Sequence, residues 1–146
     1  MFNEEKRFAK PIPWGMVGGG RGSQIGYIHR SAALRDNHFS LVAGTFDIDG
    51  ARGREFGVNI GVIEDRCYGT YQEMFAAEGK REDGIQAVTI ATPNYTHYEI
   101  CKAALMAGLH VVCEKPLCFT TEQGEELARL AESKERVVGV TYGYAG

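Results

Sequence analysis

The run IPWGMVGGGRGSQIG, residues 12–26, decides how the chain is read. IPWGMV (12–17) is a short apolar run ending in glycines, the pattern of a strand. SQIGYIHRSAALRD (23–36) sets Ile25, Ile28, Ala32 and Ala33 on one helical face. GGGRGSQIG (18–26) joins the two. Glycines let a backbone turn tightly and approach a phosphate, because no Cβ stands in the way. The helix start behind them offers free N–H groups and a partial positive charge to a pyrophosphate. A strict G-x-G-x-x-G does not fit. Gly18 and Gly20 supply the first two glycines, Ser23 stands in the third place, and Gly26 takes that role if the loop carries extra residues. The candidate cofactor contacts here are Gly18, Gly20, Ser23, Gln24 and Ile25.

Outward from this unit, strand-like and helix-like segments alternate. Strands are expected at 12–17, 39–48, 59–63, 85–92, 109–114 and 136–142. Helices are expected between them: 49–57 behind a capping Asp49 and ending at Gly57, about 70–80 behind a Thr70/Glu73 capping box, a helix capped by Asn94 and stopping at Gly108, and one opening at Thr120 with Gln123. This alternation predicts an α/β, Rossmann-type doubly wound fold: a mostly parallel six-stranded sheet with helices on both faces. Residues 1–11 read as a tail and 12–146 as the domain. Ligands of such sheets sit at the carboxyl ends of the strands, near the point where strand order reverses.

Composition narrows the function. The chain has 146 residues, 44% hydrophobic and 24% charged, with a net charge of −3, so no basic surface recommends nucleic acid or an anionic membrane as a partner. The charged N-terminus MFNEEKRFAKP is no signal peptide, no run approaches a membrane span, and a cytoplasmic protein is the default. Cys67, Cys101, Cys113 and Cys118 lack the C-x-x-C rhythm of a zinc site, so no metal is expected; Cys101 and Cys113 read as buried reduced thiols. Glycine stands out, at 19 residues. Asp47, roughly 20 residues beyond the loop, can accept hydrogen bonds from ribose hydroxyls and would repel a 2′-phosphate, which favours NAD over NADP. Arg52 and Arg54 follow on a short helix, where arginines are usually solvated but could soften that preference.

TPNYTHYEICKAALMAGLHVVCEKPL (92–117) resembles the signature of the glucose–fructose oxidoreductase/inositol dehydrogenase (Gfo/Idh/MocA) family: T-P-N-x-x-H, then A-L-x-A-G, then E-K-P-L. The resemblance runs from Ile12 to Tyr144, and the lengthened glycine loop departs from the family pattern. It implies that Thr92, Pro93 and Asn94 run along the cofactor with His97 close by, and that Glu114 and Lys115 stand at the nicotinamide end. Lys115 would lie beside the substrate hydroxyl and tune proton transfer as hydride leaves the adjacent carbon. Pro93 and Pro116 hold the residues before them extended. The resemblance further implies a second α/β domain carrying the remaining catalytic residues, the substrate pocket and a homo-oligomer interface, absent from this chain. The expected function is therefore the nucleotide-binding domain of an NAD(P)-dependent dehydrogenase acting on a sugar, polyol or inositol-like hydroxyl, the fragment binding cofactor without turnover. The alternative is a non-catalytic dinucleotide-binding sensor or scaffold; a methyltransferase-type domain is disfavoured by the two motifs.

Overall fold

The structure, a computed structural model, describes residues 9–144. Residues 1–8 of the expected tail, and residues 145–146, lie outside the described residues. In chain order come β1 (Ile12–Gly18), α1 (Gln24–Leu34), β2 (Phe39–Thr45), α2 (Gly50–Asn59), a 3₁₀ turn (Glu64–Arg66), α3 (Tyr71–Glu78), β3 (Ala87–Ala91), a second 3₁₀ turn (Asn94–Thr96), α4 (His97–Met106), β4 (His110–Glu114), α5 (Thr121–Ser133) and β5 (Val138–Thr141).

The strands form one sheet in the order β2-β1-β3-β4-β5, with every pairing parallel. Apolar side chains leave the sheet on both faces. Trp14, Met16 and Ala87 join Phe46, Val62 and Cys67 on one side. Val17, Val88, Ile90, Val111 and Cys113 pack against Met74, Ile100, Leu105 and Leu127 on the other. Two-sided burial explains why the strands read as nearly continuous apolar runs. Inside the sheet, the Trp14 indole donates to the Thr89 hydroxyl at 2.9 Å. None of the four cysteines is in a disulfide; Cys67, Cys101 and Cys113 are buried and Cys118 half-buried. Among the described residues no helix is long and apolar enough to cross a membrane.

Among the described residues the sheet has five strands, not six. The segment 59–63 is the end of α2 and the turn behind it; it joins no strand ladder, and Val62 packs on one face of the sheet. Its Gly61, at φ +93°, is a helix stop: the Val62 amide donates to the Gly57 carbonyl at 2.9 Å and the Gly61 amide to Val58 at 3.0 Å. This is a Schellman ending, which needs the left-handed backbone that glycine adopts freely. Gly57, expected as the stop, lies buried inside the helix. The caps at Asp49, Thr70 and Thr120 form as expected, Thr70 with its Glu73 box complete.

A buried polar cluster, with no forerunner in the sequence reading, braces the segment between α2 and β3. Arg66 and Glu78 are 4% and 2% exposed. Glu78 accepts from Arg66 Nε at 3.0 Å and from Arg66 Nη2, from the Tyr68 hydroxyl at 2.8 Å and from the Ile85 amide at 3.2 Å. Arg66 reaches on to the Asp83 carboxylate at 3.2 Å and its carbonyl at 3.1 Å. Burial, with the Glu78 carboxylate behind it, pushes the Tyr68 phenol up from 10 to about 12. A raised phenol pKa means the folded state holds the proton more tightly than the unfolded chain. Stability from this contact is therefore complete below about pH 10 and is lost as the pH climbs through about 12. Thermal midpoints measured across that alkaline range are expected to fall less steeply in Tyr68→Phe than in the wild type.

Candidate dinucleotide site

A cavity of about 520 Å³ opens at the carboxyl ends of β1, β2 and β3. It sits where β1 parts its two neighbours, β2 on one side and β3 on the other. That is the reversal point of strand order, where doubly wound sheets hold ligands. Gly18, Gly19 and Ser23 line it from the glycine loop, Thr45 to Ile48 from the end of β2, and Ala91 to Pro93 from the end of β3.

The glycine loop is shaped by contacts that a side chain would destroy. A Cβ at Gly20 would stand 2.2 Å from the Phe46 carbonyl oxygen, and one at Gly26 would stand 2.2 Å from the Gly19 carbonyl oxygen. Gly26 thus performs the third-glycine role, close packing of helix against loop. Ser23 caps α1, its hydroxyl accepting from the Gly26 amide at 3.0 Å. The Gln24 and Ile25 amides, at the first two helical positions, have no intrahelical acceptor and remain for an anion. Arg30 steadies the loop from within α1, donating to the Gly19 carbonyl at 2.6 Å while its guanidinium lies over the Phe56 ring. Gly26→Ala is expected to displace the loop and weaken NADH binding about tenfold or more, about 1.4 kcal/mol, in a calorimetric titration.

Asp47 lines the cavity behind β2, next to Phe46, whose carbonyl abuts Gly20 of the glycine loop. The Arg52 guanidinium, followed by the Asp49 amide, holds its carboxyl below the usual aspartate range. It therefore offers acceptor oxygens at neutral and mildly acid pH, the form a ribose diol requires.

The T-P-N-x-x-H segment folds differently from its sequence reading. Thr92 and Pro93 line the cavity. Asn94 is exposed and opens a 3₁₀ turn; the residue before α4 is Thr96, and no side chain caps that helix. The loop is closed instead by Thr96, whose hydroxyl lies 2.7 Å from both the Thr92 hydroxyl and the Pro93 carbonyl. His97 is fully buried. Its Nδ1 lies 2.7 Å from the Pro116 carbonyl and its Nε2 2.9 Å from the Thr92 carbonyl. The ring ties the loop after β3 to the loop after β4, and both nitrogens are taken up in doing so.

Glu114 ends β4 and is gripped by His29 of α1 at 2.8 Å, both side chains about nine-tenths buried. Lys115 is exposed and has no hydrogen-bond or ion-pair partner among the described residues; the Lys115–Pro116 peptide is cis. Of the residues expected at the site, Gly18, Ser23, Asp47, Thr92 and Pro93 line the cavity. Gly20, Gln24, Ile25, Asn94, His97, Glu114 and Lys115 do not, and stand in its loops or at the end of β4. The sequence reading missed the rim formed by Gly69, Thr70, Tyr71 and Gln72. The Thr70 cap was legible, but nothing local aims the start of α3 at the glycine loop. It also missed His29, whose partner is 85 positions away.

Known proteins are similar to this chain in sequence and fold. The oxidoreductase YfiI of Bacillus subtilis (strain 168) is 63% identical over 147 residues, which cover 100% of this chain and 37% of YfiI. The crystal structure of an inositol dehydrogenase homolog from Azotobacter vinelandii, complexed with NADH and myo-inositol, superposes with a TM-score of 0.96 at 67% identity, covering 99% of this chain and 38% of that one. The scyllo-inositol 2-dehydrogenase (NADP(+)) IolW of Bacillus subtilis is 42% identical over 59 residues, 40% of this chain. This chain thus spans little more than a third of the length of YfiI and of the inositol dehydrogenase homolog. Residues 12–142 match the family described as an oxidoreductase family with an NAD-binding Rossmann fold, and the chain belongs to that family, Gfo/Idh/MocA.

Proposed function

We propose that this chain is the cofactor-holding part of an NAD-preferring dehydrogenase that moves a hydride between the nicotinamide and the carbinol carbon of a sugar, polyol or inositol-like substrate. The observation that carries this reading is one cavity lined by both the glycine loop and an ionised acceptor, Asp47. The cradle suits a dinucleotide: Gly20 and Gly26 leave no room for a Cβ beside the loop backbone, and the Gln24 and Ile25 amides lack acceptors. Bound there, the cofactor supplies hydride acceptance or donation.

The chain's own residues do the rest. The Gln24 and Ile25 amides hold the pyrophosphate. Asp47 accepts from the ribose hydroxyls, which favours NAD. Thr92 and Pro93 wall the path toward the nicotinamide end. Lys115, at the carboxyl end of β4, orients the substrate hydroxyl with its ammonium donors and relays the hydroxyl proton as the carbon–hydrogen bond breaks. His97 holds the Thr92 and Pro116 loops at a set spacing, so Lys115 and the cavity wall keep their relative positions. A further part of the protein, beyond this chain, supplies the rest of the substrate pocket; support comes from the longer relatives, one of them complexed with myo-inositol.

Calorimetric titration of the purified chain with NADH tests the first half: a one-to-one complex is expected. Absence of binding would defeat the reading. The second half is tested by near-ultraviolet absorbance of a version extended to the length of its relatives, given NAD and a polyol panel, where NADH formation is expected. The unextended chain is expected to bind and not turn over.

A further inference from the structure

Two imidazoles bracket Lys115. Val111 and Cys113 of β4 turn into the core that α4 and α5 cover. Glu114, one step further along the pleat, leaves the sheet on the opposite face, where α1 packs through Ala33. There His29 Nε2 meets Glu114 Oε1 at 2.8 Å, the two side chains being 11% and 12% exposed. An ionised carboxylate only accepts, so the imidazole donates from Nε2. Among the described residues the Glu114 carboxylate has no other hydrogen-bond or ion-pair partner. On the other face His97, at the start of α4, reaches the Pro116 carbonyl at 2.7 Å. The residue before Lys115 is thus held by one helix and the residue after it by another, while Lys115 itself is exposed.

The two holds differ in kind. His97 fixes a backbone carbonyl, whereas His29 fixes a charge. Glu114 is the carboxylate adjacent to Lys115 in the chain, and a carboxylate left without a partner at a mostly buried position takes the nearest cation. Bonded to His29 it is kept under α1, and the Lys115 ammonium keeps its donors for a substrate. His29 also stands in the helix whose first amides, those of Gln24 and Ile25, lack intrahelical acceptors. The helix that offers amides to an anion therefore also sets where β4 ends. We propose that His29 is a positioning residue for the hydride-transfer step: by holding Glu114 it fixes Lys115 relative to α1 and keeps the carboxylate from capturing the ammonium. This rests on the reading of Lys115 as the group that handles the substrate hydroxyl proton.

The test uses the protein extended to the length of its relatives, as His29→Asn, His29→Gln, Lys115→Ala and the double variant His29→Asn with Lys115→Ala. A glutamine amide reaches about as far as Nε2 and keeps a donor for Glu114, while an asparagine amide stops short; neither overfills the site. His29→Asn is expected to lower kcat about 10- to 10²-fold, the scale of a misplaced reacting group. KM for the polyol and NADH affinity are expected to move less than about threefold. His29→Gln is expected to stay within about threefold of the wild type in kcat. In the double variant, His29→Asn is expected to cost nothing beyond Lys115→Ala, because the group it positions is gone; a merely structural role would lower both backgrounds alike. Unchanged turnover in His29→Asn, a loss in His29→Gln as large as in His29→Asn, or losses that multiply in the double variant overturn this inference alone. Full turnover in Lys115→Ala overturns the reading of Lys115 and this inference with it.

Discussion

Lys115→Ala, made in the protein extended to the length of its relatives, is expected to lower turnover about 10²- to 10⁴-fold, the range of a positioned proton-transfer group. NADH affinity is expected to move by less than about threefold, under about 0.7 kcal/mol. The asymmetry follows from geometry. The dinucleotide is proposed to rest on the glycine loop, Asp47 and the Thr92–Pro93 wall, whereas Lys115 lies outside the cavity lining. Lys115 instead emerges just after β4 with no hydrogen-bond or ion-pair partner among the described residues, beside a Glu114 already held by His29. Its ammonium is therefore available to a substrate. Steady-state rates on a polyol and NADH titrations of the same preparation check the split. Equal losses in both would make Lys115 a cofactor contact only. Lys115→Arg sharpens the reading, since it keeps the charge but not a readily released proton. It is expected to leave turnover low.

Glu78→Ala is expected to destabilise the fold by about 2–3 kcal/mol, because it leaves the buried Arg66 with only the exposed Asp83 as counter-charge. Domains of this size hold about 5–15 kcal/mol in all, so the variant gives up a large share of its stability. The side chains of Arg66 and Glu78 are 5% and 1% exposed, which removes the solvent screening that makes surface pairs weak. Removing both charges with apolar replacements, Arg66→Met with Glu78→Leu, is expected to recover most of the loss, since no charge is then left buried. Urea unfolding followed by circular dichroism measures both. A loss below about 1 kcal/mol in Glu78→Ala would show that water reaches the stranded guanidinium. The effect extends to the site: Tyr68 binds Glu78, and the cavity rim from Gly69 to Gln72 follows it directly.

The features legible in the sequence are those set within a few residues. Asp49, Thr70 with Glu73, and Thr120 announce helix starts because a cap is a contact over two or three positions. The glycine loop and Asp47 declare a dinucleotide site because both follow directly from strand ends. The segment 59–63 failed the same approach, since a short apolar run with a glycine reads equally as a strand or as a helix stop. Its outcome was set by the left-handed Gly61 and the Val62–Gly57 hydrogen bond, which end α2 there although β2 is an edge of the sheet. Asn94 failed as well. An asparagine beside a helix start caps by default, but here Thr96 closes the loop and His97 ties it to the Pro116 carbonyl 19 positions on.

By itself, then, the sequence determined the alternating α/β order, the parallel sheet, the family and the loops that line the cavity, because periodicity, caps and glycines act locally. Only the tertiary structure decided the strand count, the burial of His97 between two loops, the His29 grip on Glu114 and the Arg66–Glu78 cluster. Each of those joins groups distant along the chain. Their energies arise from burial and direct contact, which exist only after the elements have packed.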